Sequence, residues 1–204
     1  MIAGPEKSNH GSFARKLALT GSMGAGKSTV LDLFDRAGWL TMDSDRVVRG
    51  LLERDRETQE ELRVRWGNDV LLNNGSANRA EIGKIVFGDE AELKWLEALL
   101  HPKVRHCWMG LLEKSGDDPV IIEIPLLFEK NLQTYFDASI CLSISLQVQL
   151  RRLAQRGVDE ESARKRISRQ FPTEIKVKRA DRVLSNDGSV EFLKAQVREL
   201  IGQP

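Results

Sequence analysis

The sequence predicts an α/β fold, in which a parallel five-stranded sheet is covered by helices on both faces. Two observations carry this prediction. Short apolar runs alternate with segments whose apolar residues recur at helical spacing, as strands and helices do in this class. A glycine-rich stretch, ALTGSMGAGKSTV, stands between the first apolar run and the first helical segment. At 204 residues and 41% hydrophobic content, the chain can bury one good core.

Each element follows from the same patterns. Strands are expected at residues 16–19, 39–42, 120–124, 139–143 and 182–184. A helical insertion at residues 46–114 separates the second strand from the third, and a basic helical segment covers residues 146–179. The last helix is expected at residues 189–201, after a turn at Asn-Asp-Gly. The insertion is longer than a simple crossover connection, so we expect it to build part of a binding site.

The glycine-rich stretch contains a phosphate-binding loop, or P-loop. Gly21, Gly26, Lys27 and Ser28 match the pattern G-x-x-x-x-G-K-[ST], with a strand before it and a helix after it. Glycines allow the backbone to approach an anion, and the N–H groups at the helix start face the phosphates. Lys27 is expected to reach the β- and γ-phosphates from the surface, and the Ser28 hydroxyl to bind Mg²⁺. The alternative is a glycine-rich turn with a solvated lysine.

Composition sets further bounds. Lys and Arg number 31 against 30 Asp and Glu, so no overall charge favours nucleic acid or a membrane surface as a partner. Cys107 and Cys141 lie far apart in apolar surroundings, which indicates buried thiols in a reducing compartment. Residues 1–15 lack the apolar stretch of a secretion signal, and no run approaches a membrane span. We expect a loose extension at residues 1–15, one P-loop domain at 16–204, and a cytoplasmic protein.

Two later features favour a small-molecule kinase among P-loop proteins. A GTPase should carry N-K-x-D, which the sequence lacks. Asp43 and Asp45 end the second strand, and in an extended segment both would point to one face and could act on a hydroxyl. Alternatively, Ser44 or Asp45 only caps a helix that starts near Arg46.

The second feature is a basic helical hairpin with a turn at Gly157 and Val158. Such a hairpin can close over ATP and place guanidinium groups on the migrating phosphoryl group, although a solvated basic face is the simpler explanation for any one arginine. Its cations are Arg151, Arg152, Arg156, Arg164, Lys165, Arg166 and Arg169.

Taken in order, several segments resemble the dephospho-coenzyme A kinase family. They are LTGSMGAGKSTV, DSDRVVRGLL, RAEIGKIVF, LEALLHPKV, IPLLFE, QVQLRRLAQR, RISRQFP and ADRVLSNDG. The resemblance extends from about Leu17 to Leu200 and implies a P-loop kinase fold with a helical lid. It also implies transfer of the ATP γ-phosphoryl group to the ribose 3′-hydroxyl of dephospho-coenzyme A, with Mg²⁺.

The resemblance also implies roles for individual residues. Lys27, Asp45 and Arg152 would be catalytic. The ATP site would comprise Ser22, Met23, Gly24, Ala25, Gly26, Lys27, Ser28, Thr29, Arg152, Arg156, Asn186 and Gly188. The acceptor site would comprise Asp45, Arg79, His101, Pro125, Leu126, Phe128 and Glu129.

Some of these positions have a structural explanation. His101-Pro102 could be only a helix entry, with Pro102 at the first helical position. Pro125 could end a strand, the two leucines after it could be core, and Asn186 could be a turn residue. We keep Phe128 and Glu129 as candidate substrate contacts.

The sequence departs from the family pattern at three positions. Ser22 and Ala25 replace a glycine and a serine at free positions of the P-loop. Glu123 stands where the family commonly has Asp.

Two rival functions remain at this stage. A kinase acting on another small hydroxyl, such as a nucleoside, a nucleotide or shikimate, would share the phosphate-binding residues. A regulatory nucleotide-binding protein would not need the acidic pair and the lid arginines, whose presence weighs against it. The sequence leaves the oligomeric state open, with a monomer as the default.

Overall fold

Five parallel strands form one sheet in the computed structural model, which describes residues 15–202. The strands are Lys16–Gly21 (β1), Leu40–Asp43 (β2), Val120–Glu123 (β3), Ala138–Ser143 (β4) and Arg182–Ser185 (β5). Their order is β2-β3-β1-β4-β5, and every pair is parallel. All five predicted strands are confirmed, with bounds that differ by no more than two residues.

The helices are longer and more numerous than the strands. They are Lys27–Arg36 (α1), Ser44–Arg54 (α2), Arg56–Trp66 (α3), Arg79–Gly88 (α4), Glu90–Lys114 (α5), Leu146–Gln155 (α6), Glu160–Ile167 (α7), Thr173–Arg179 (α8) and Val190–Ile201 (α9). Short 3₁₀ turns occur at Asn68–Val70 and Leu132–Tyr135. The predicted final helix begins one residue late, because Ser189 is its cap and its hydroxyl accepts the Phe192 N–H.

Side chains that alternate along β1 separate two cores. Leu17 and Leu19 pack on one face with Phe34 of α1 and Leu193 of α9. Ala18, between them, packs on the other face in the cluster that holds Trp108 of α5. Successive strand residues point to opposite faces. The predicted covering of both sheet faces by helices is therefore confirmed.

The insertion between β2 and β3 has a core of its own. Helices α2 to α5 enclose Leu62, Ile82 and Leu100, which are all at most 5% exposed. The insertion is not wholly helical, because an isolated antiparallel bridge joins Leu71 and Ala77. A separate apolar cluster lets this segment keep a fixed shape beside the sheet.

Strand register brings the carboxyl ends of β1, β2 and β3 together on the same side of the sheet. Glu123, at the end of β3, is opposite both Leu19 and Asp43. Gly21, at the end of β1, is opposite Leu142 of β4. Open parallel sheets bind ligands at their carboxyl ends, so this register selects the place of the functional site.

The start of the described chain is tied to the fold. The Arg15 N–H donates to Asp137 Oδ2 at 2.9 Å, and its guanidinium donates to the Asp117 carbonyl at 2.7 Å. The rest of the predicted loose extension lies outside the described residues. Within residues 15–202, none of the helices combines the length and the apolar character that crossing a membrane requires.

Candidate active site

The P-loop joins β1 to α1 and contains two glycines whose places admit no side chain. A Cβ on Gly21 would lie 2.6 Å from the Leu142 carbonyl oxygen, so β1 and β4 can approach only at a glycine. Gly26 has φ 94° and precedes α1, and a Cβ there would lie 2.5 Å from Asn186 Nδ2. A positive φ of this kind strongly favours glycine. Contacts within the protein thus require these glycines.

Lys27 is buried rather than exposed, so the expectation that it lies at the surface is wrong. The residue is 8% exposed, and its ammonium group donates to the carbonyls of Gly21 and Ser22 at 3.1 and 3.3 Å. The same nitrogen lies 3.4 Å from Glu123 Oε1. A buried ammonium needs such partners because its desolvation is costly.

Glu123, the residue that departs from the family pattern, faces the P-loop lysine. Burial raises the pKa of its carboxyl to about 7, and Lys27 opposes this shift. The charges of Asp45 and Asp43 raise the pKa further. At the carboxyl ends of the strands, the charges of Lys27, Asp43 and Asp45 thus all act on Glu123.

The acidic pair is arranged differently from the sequence prediction. Asp43 ends β2 and caps α2, because its Oδ1 accepts the Arg46 N–H at 2.9 Å. The helix begins at Ser44, so Asp45 lies in its first turn and the two aspartates do not share an extended segment. The cap is Asp43, and not Ser44 or Asp45. The residues line different cavities, Asp43 beside Ser28 and Asp45 beside His101.

A cavity of about 580 Å³ opens beside Asp45. Its walls come from α2, α5, the loop after β3 and the end of α7. The lining residues are Ser44, Asp45, Val48, Glu97, His101, Pro102, Val104, Arg105, Trp108, Ile124, Pro125, Leu126, Lys130, Leu132, Arg166, Arg169 and Gln170. An apolar wall with a few charged groups is typical of a site for an organic substrate.

His101 reaches this cavity from the middle of α5. Pro102 lies inside that helix, so the prediction of a helix entry at His101-Pro102 is wrong. Desolvation by the surrounding wall lowers the pKa of His101, Glu97 opposes the shift, and Lys130 adds to it. The imidazole is thereby biased toward its neutral form.

In the loop after β3, Leu127 is a core residue as expected, whereas Leu126 and Phe128 exchange the roles that the sequence analysis gave them. Pro125 and Leu126 line the cavity, whereas Phe128 is a core residue only 2% exposed. Glu129 pairs with Lys176 at 3.0 Å and accepts the Phe171 N–H at 2.8 Å. Its partners are therefore protein groups.

Two predicted site arginines lie on the surface: Arg79, expected at the acceptor site, does not line the cavity, and Arg156 was expected at the ATP site. Arg79 is exposed in the first turn of α4, outside the described lining. Arg156 is the exposed C-cap of α6.

Arg152, by contrast, touches the P-loop. Its guanidinium donates to the Ala25 carbonyl at 3.2 Å and to the Asn186 carbonyl at 2.8 Å. Asn186 Nδ2 donates to the same Ala25 carbonyl at 2.6 Å, so Asn186 is more than a turn residue. Gly188 follows in the same turn, where a Cβ would lie 3.4 Å from the ring of Phe192. Helix α6 and this turn together support the back of the P-loop.

Three contacts here escaped the sequence analysis. Gln149, 2% exposed, donates to the Met23 carbonyl at 2.7 Å. The hydroxyls of Thr173 and Ser22 lie 2.7 Å apart. Lys176 is fully buried and donates to the Pro125 carbonyl at 2.8 Å. Desolvation lowers the pKa of Lys176, against the opposing effect of Glu129. Only the basic character of this segment marked it, and the sequence analysis interpreted that character as a hairpin that closes over ATP or as a solvated face.

Both cysteines are free thiols, but the expectation that both are buried is confirmed only for Cys141 and is wrong for Cys107. Cys141 is buried, and burial raises the pKa of its thiol to about 11, whereas Cys107 is only partly buried. Among residues 15–202, His, Cys, Asp and Glu nowhere gather in a group of three able to hold a metal ion.

A larger cavity, of about 750 Å³, lies at the opposite end of the strands, near their first residues. It is lined by the first residues of β4 and β5, Ala138 and Arg182, and by Trp39 and Leu200. The P-loop is at the other end of the strands. This cavity is therefore separate from the phosphate site.

A comparison with protein families matches residues 15–191 to the model described as dephospho-CoA kinase. The chain belongs to the dephospho-CoA kinase family. A dephospho-CoA kinase of Geobacillus kaustophilus is 36% identical over 191 residues, which are 92% of this chain and 95% of that protein.

Solved structures agree with the family. The crystal structure of TT1252 from Thermus thermophilus is 33% identical, with a TM-score of 0.72 over 91% of this chain and 95% of that one. A dephospho-CoA kinase from Campylobacter jejuni is 25% identical, with a TM-score of 0.65 over 94% and 97% of the two chains. The fold is that of the P-loop kinases. Like other dephospho-CoA kinases, the chain is an ATP-dependent kinase that phosphorylates dephospho-CoA to CoA, the final step of CoA biosynthesis.

Proposed function

We propose how this site transfers the ATP γ-phosphoryl group to the ribose 3′-hydroxyl of dephospho-CoA. The observation that carries the proposal is the position of Asp45, which lies on the cavity wall at the sheet edge that also holds Lys27. ATP lies with its phosphates on residues 22–29 and its base beside the turn at Asn186 and Gly188. Dephospho-CoA occupies the cavity with its ribose toward Asp45.

Lys27 stabilises the phosphoryl group as charge develops on it. Its ammonium group already lies at the mouth of the P-loop, on the carbonyls of Gly21 and Ser22. A nearby γ-phosphate offers this cation stronger acceptors than two neutral carbonyls do. Electrostatic stabilisation by a preorganised, partly desolvated cation is commonly the largest contribution to such a reaction.

Asp45 orients the 3′-hydroxyl and accepts its proton. The transition state of phosphoryl transfer is largely dissociative, so a weak base that receives the proton late is sufficient. Asp45 is exposed to the cavity, whereas Asp43 is committed to the cap of α2. These different positions support Asp45, and not Asp43, as the residue that contacts the acceptor.

The residues near Ser28 fit a magnesium ion that arrives with ATP. Ser28, Asp32 and Asp43 line one groove, and Mg²⁺ in proteins typically binds one or two oxygen side chains, waters and substrate phosphates. The Ser28 hydroxyl would hold the ion, which would neutralise phosphate charge when bound. Glu123 and Asp43 would orient its waters.

Arg152 acts from helix α6, which lies behind the P-loop. Its guanidinium is fixed by the carbonyls of Ala25 and Asn186, and a planar fork has further N–H groups for phosphate oxygens. Arg156, one turn further along, adds a cation at the outer end of α6. We infer a cytoplasmic location for this enzyme, since ATP is available there and its two cysteines are free.

A panel of acceptors tests the proposal. The purified enzyme is incubated with ATP, Mg²⁺ and dephospho-CoA, shikimate or a nucleoside, and the products are examined by mass spectrometry and phosphorus NMR. We expect efficient phosphorylation of dephospho-CoA at the 3′ position alone. A faster reaction with shikimate, or phosphate at another hydroxyl, would contradict the assignment and favour the rival small-molecule kinase.

A further inference from the structure

An exposed aromatic ring on the insertion meets a guanidinium group from the basic hairpin. Phe87, at the end of α4, is 54% exposed. The guanidinium carbon of Arg166, on α7, lies 4.1 Å from the centroid of its ring. A cation over an aromatic face at this distance is an attractive contact. The contact joins two segments that are 79 residues apart and that both border the cavity.

A weaker, long-range electrostatic effect acts between the same two segments. Arg169, just after α7, lowers the pKa of Glu90 at the start of α5, in the same direction as the larger effect of Lys94. Glu90 follows Phe87 by three residues. The Phe87–Arg166 contact thus places the end of α7 beside the junction of α4 and α5, and the charge of Arg169 is favourable there.

The cations of α7 and of the residues just after it divide into two groups. Arg164 and Lys165 pair with Glu160 and Glu161 one turn earlier, at 2.7 and 2.8 Å, along the exposed side of the helix. Arg166 and Arg169 instead line the cavity. These two are thus the hairpin cations available to an acceptor.

The charged groups of the cavity favour an anion. Four permanent cations line it, against two carboxylates. The cations are Arg105, Lys130, Arg166 and Arg169, and the carboxylates are Asp45 and Glu97. Opposite charges across a partly desolvated cavity attract more strongly than in water. The acceptor itself carries a diphosphate between its adenosine and its pantetheine arm.

We propose that Arg166 binds the diphosphate of the acceptor and that Phe87 is a positioning residue that holds its guanidinium there. The inference rests on the proposed placement of dephospho-CoA in this cavity. Stacking uses the face of the guanidinium and leaves its N–H edge free, and that edge matches phosphate oxygens in a bidentate manner. Because Phe87 belongs to the insertion, binding of the diphosphate also holds the hairpin against it.

Acceptors with and without the diphosphate test this role. Steady-state kinetics compare dephospho-CoA with adenosine, which keeps the ribose 3′-hydroxyl but lacks the diphosphate. For Arg166→Met we expect kcat/KM for dephospho-CoA to fall about 10- to 100-fold, as for loss of a charge-assisted contact. We expect kcat/KM for adenosine and KM for ATP to stay within about 2-fold, because neither involves that contact.

Phe87→Leu keeps an apolar side chain and removes the ring. We expect KM for dephospho-CoA to rise about 3-fold, with kcat retained, as for loss of an exposed cation–π contact. In the Arg166→Met background the same substitution should add nothing, since Phe87 acts through Arg166. Val64→Ala, which removes another exposed apolar side chain of the insertion, is the matched control and should behave as the unsubstituted enzyme.

Three outcomes would overturn the inference. Equal losses with adenosine and dephospho-CoA in Arg166→Met would place Arg166 on the migrating phosphoryl group. An unchanged KM in Phe87→Leu, or additive effects in the double variant, would remove the positioning role of Phe87. If the unsubstituted enzyme itself failed to phosphorylate dephospho-CoA, the proposed function would fail instead, and that result is separate from these comparisons.

Discussion

The ammonium nitrogen of Lys27 lies 3.4 Å from Glu123 Oε1, and both residues are less than 10% exposed. The pair links the first residue of α1 to the last residue of β3. The two partners of a buried ion pair depend on each other, because removing one leaves the charge of the other uncompensated. Stability and catalysis thus share the same two side chains.

Glu123→Gln should change how stability depends on pH. The pKa of Glu123 rises from 4.5 to about 7 on folding, so between these values the folded protein holds a proton that the unfolded chain has released. Stability from this group is complete below about pH 4.5 and is lost as the pH rises through 7. Urea unfolding from pH 5 to 8 should show a decline of about 3 kcal/mol in the parent protein that is missing in Glu123→Gln.

The matched control for this measurement is Glu113→Gln, on the exposed side of α5. Its stability should follow the parent protein at every pH. Identical pH profiles for Glu123→Gln and the parent protein would contradict the raised pKa.

Lys27→Met should abolish most turnover and also destabilise the fold. The loss of activity follows from the missing cation at the γ-phosphate, and the loss of stability from the isolated Glu123 carboxylate. The destabilisation should be larger at pH 8 than at pH 6, because Glu123 can take up a proton at the lower pH.

The double variant Lys27→Met/Glu123→Gln separates the two effects. It should regain stability at pH 8, measured by thermal unfolding, and remain inactive. Near-normal turnover in either folded variant would contradict the role of Lys27.

Asp45→Asn should lower kcat by roughly 10²- to 10⁴-fold, since the amide keeps the shape of the carboxylate and loses proton acceptance. Asp43→Asn is the matched variant and should cost less. Asparagine also caps helices well, so α2 should be retained. Equilibrium binding of ATP should be preserved in both variants. An Asp45→Asn enzyme as fast as its parent would contradict the proposed mechanism.

Arg152→Ala should lower kcat, by roughly 10²-fold, more than it raises KM for ATP. The guanidinium is held by two carbonyls beside the P-loop and is worth most when charge shifts toward the γ-phosphate. Gln149→Leu, which removes a different contact of α6 with the loop, is the control and should have a smaller effect on kcat. If KM for ATP rises while kcat is unchanged, Arg152 acts on bound ATP before the reaction.

Patterns within short segments were sufficient for much of the fold. The apolar runs predicted all five strands, and the central strands β1, β3 and β4 have the strongest runs because they are buried on both faces. The spacing of Gly21, Gly26, Lys27 and Ser28 predicted the phosphate site, because the loop itself supplies its backbone N–H groups. Helix caps were harder to predict: Asp43, Ser44 and Asp45 all suit the position, and packing at the sheet edge selected Asp43.

The sequence by itself determined the succession of strands and helices along the chain, the P-loop and the family. These features depend on residues that are close together along the chain. Only the tertiary structure decided which side chains meet. Asn186 contacts Ala25 across 161 residues, Lys176 is buried against Pro125, and Arg166 lies over Phe87. Lysine and arginine side chains are usually solvated, and no local pattern distinguishes one that will be buried from one that will not. Their burial depends on partners that only the packed sheet and insertion bring within reach.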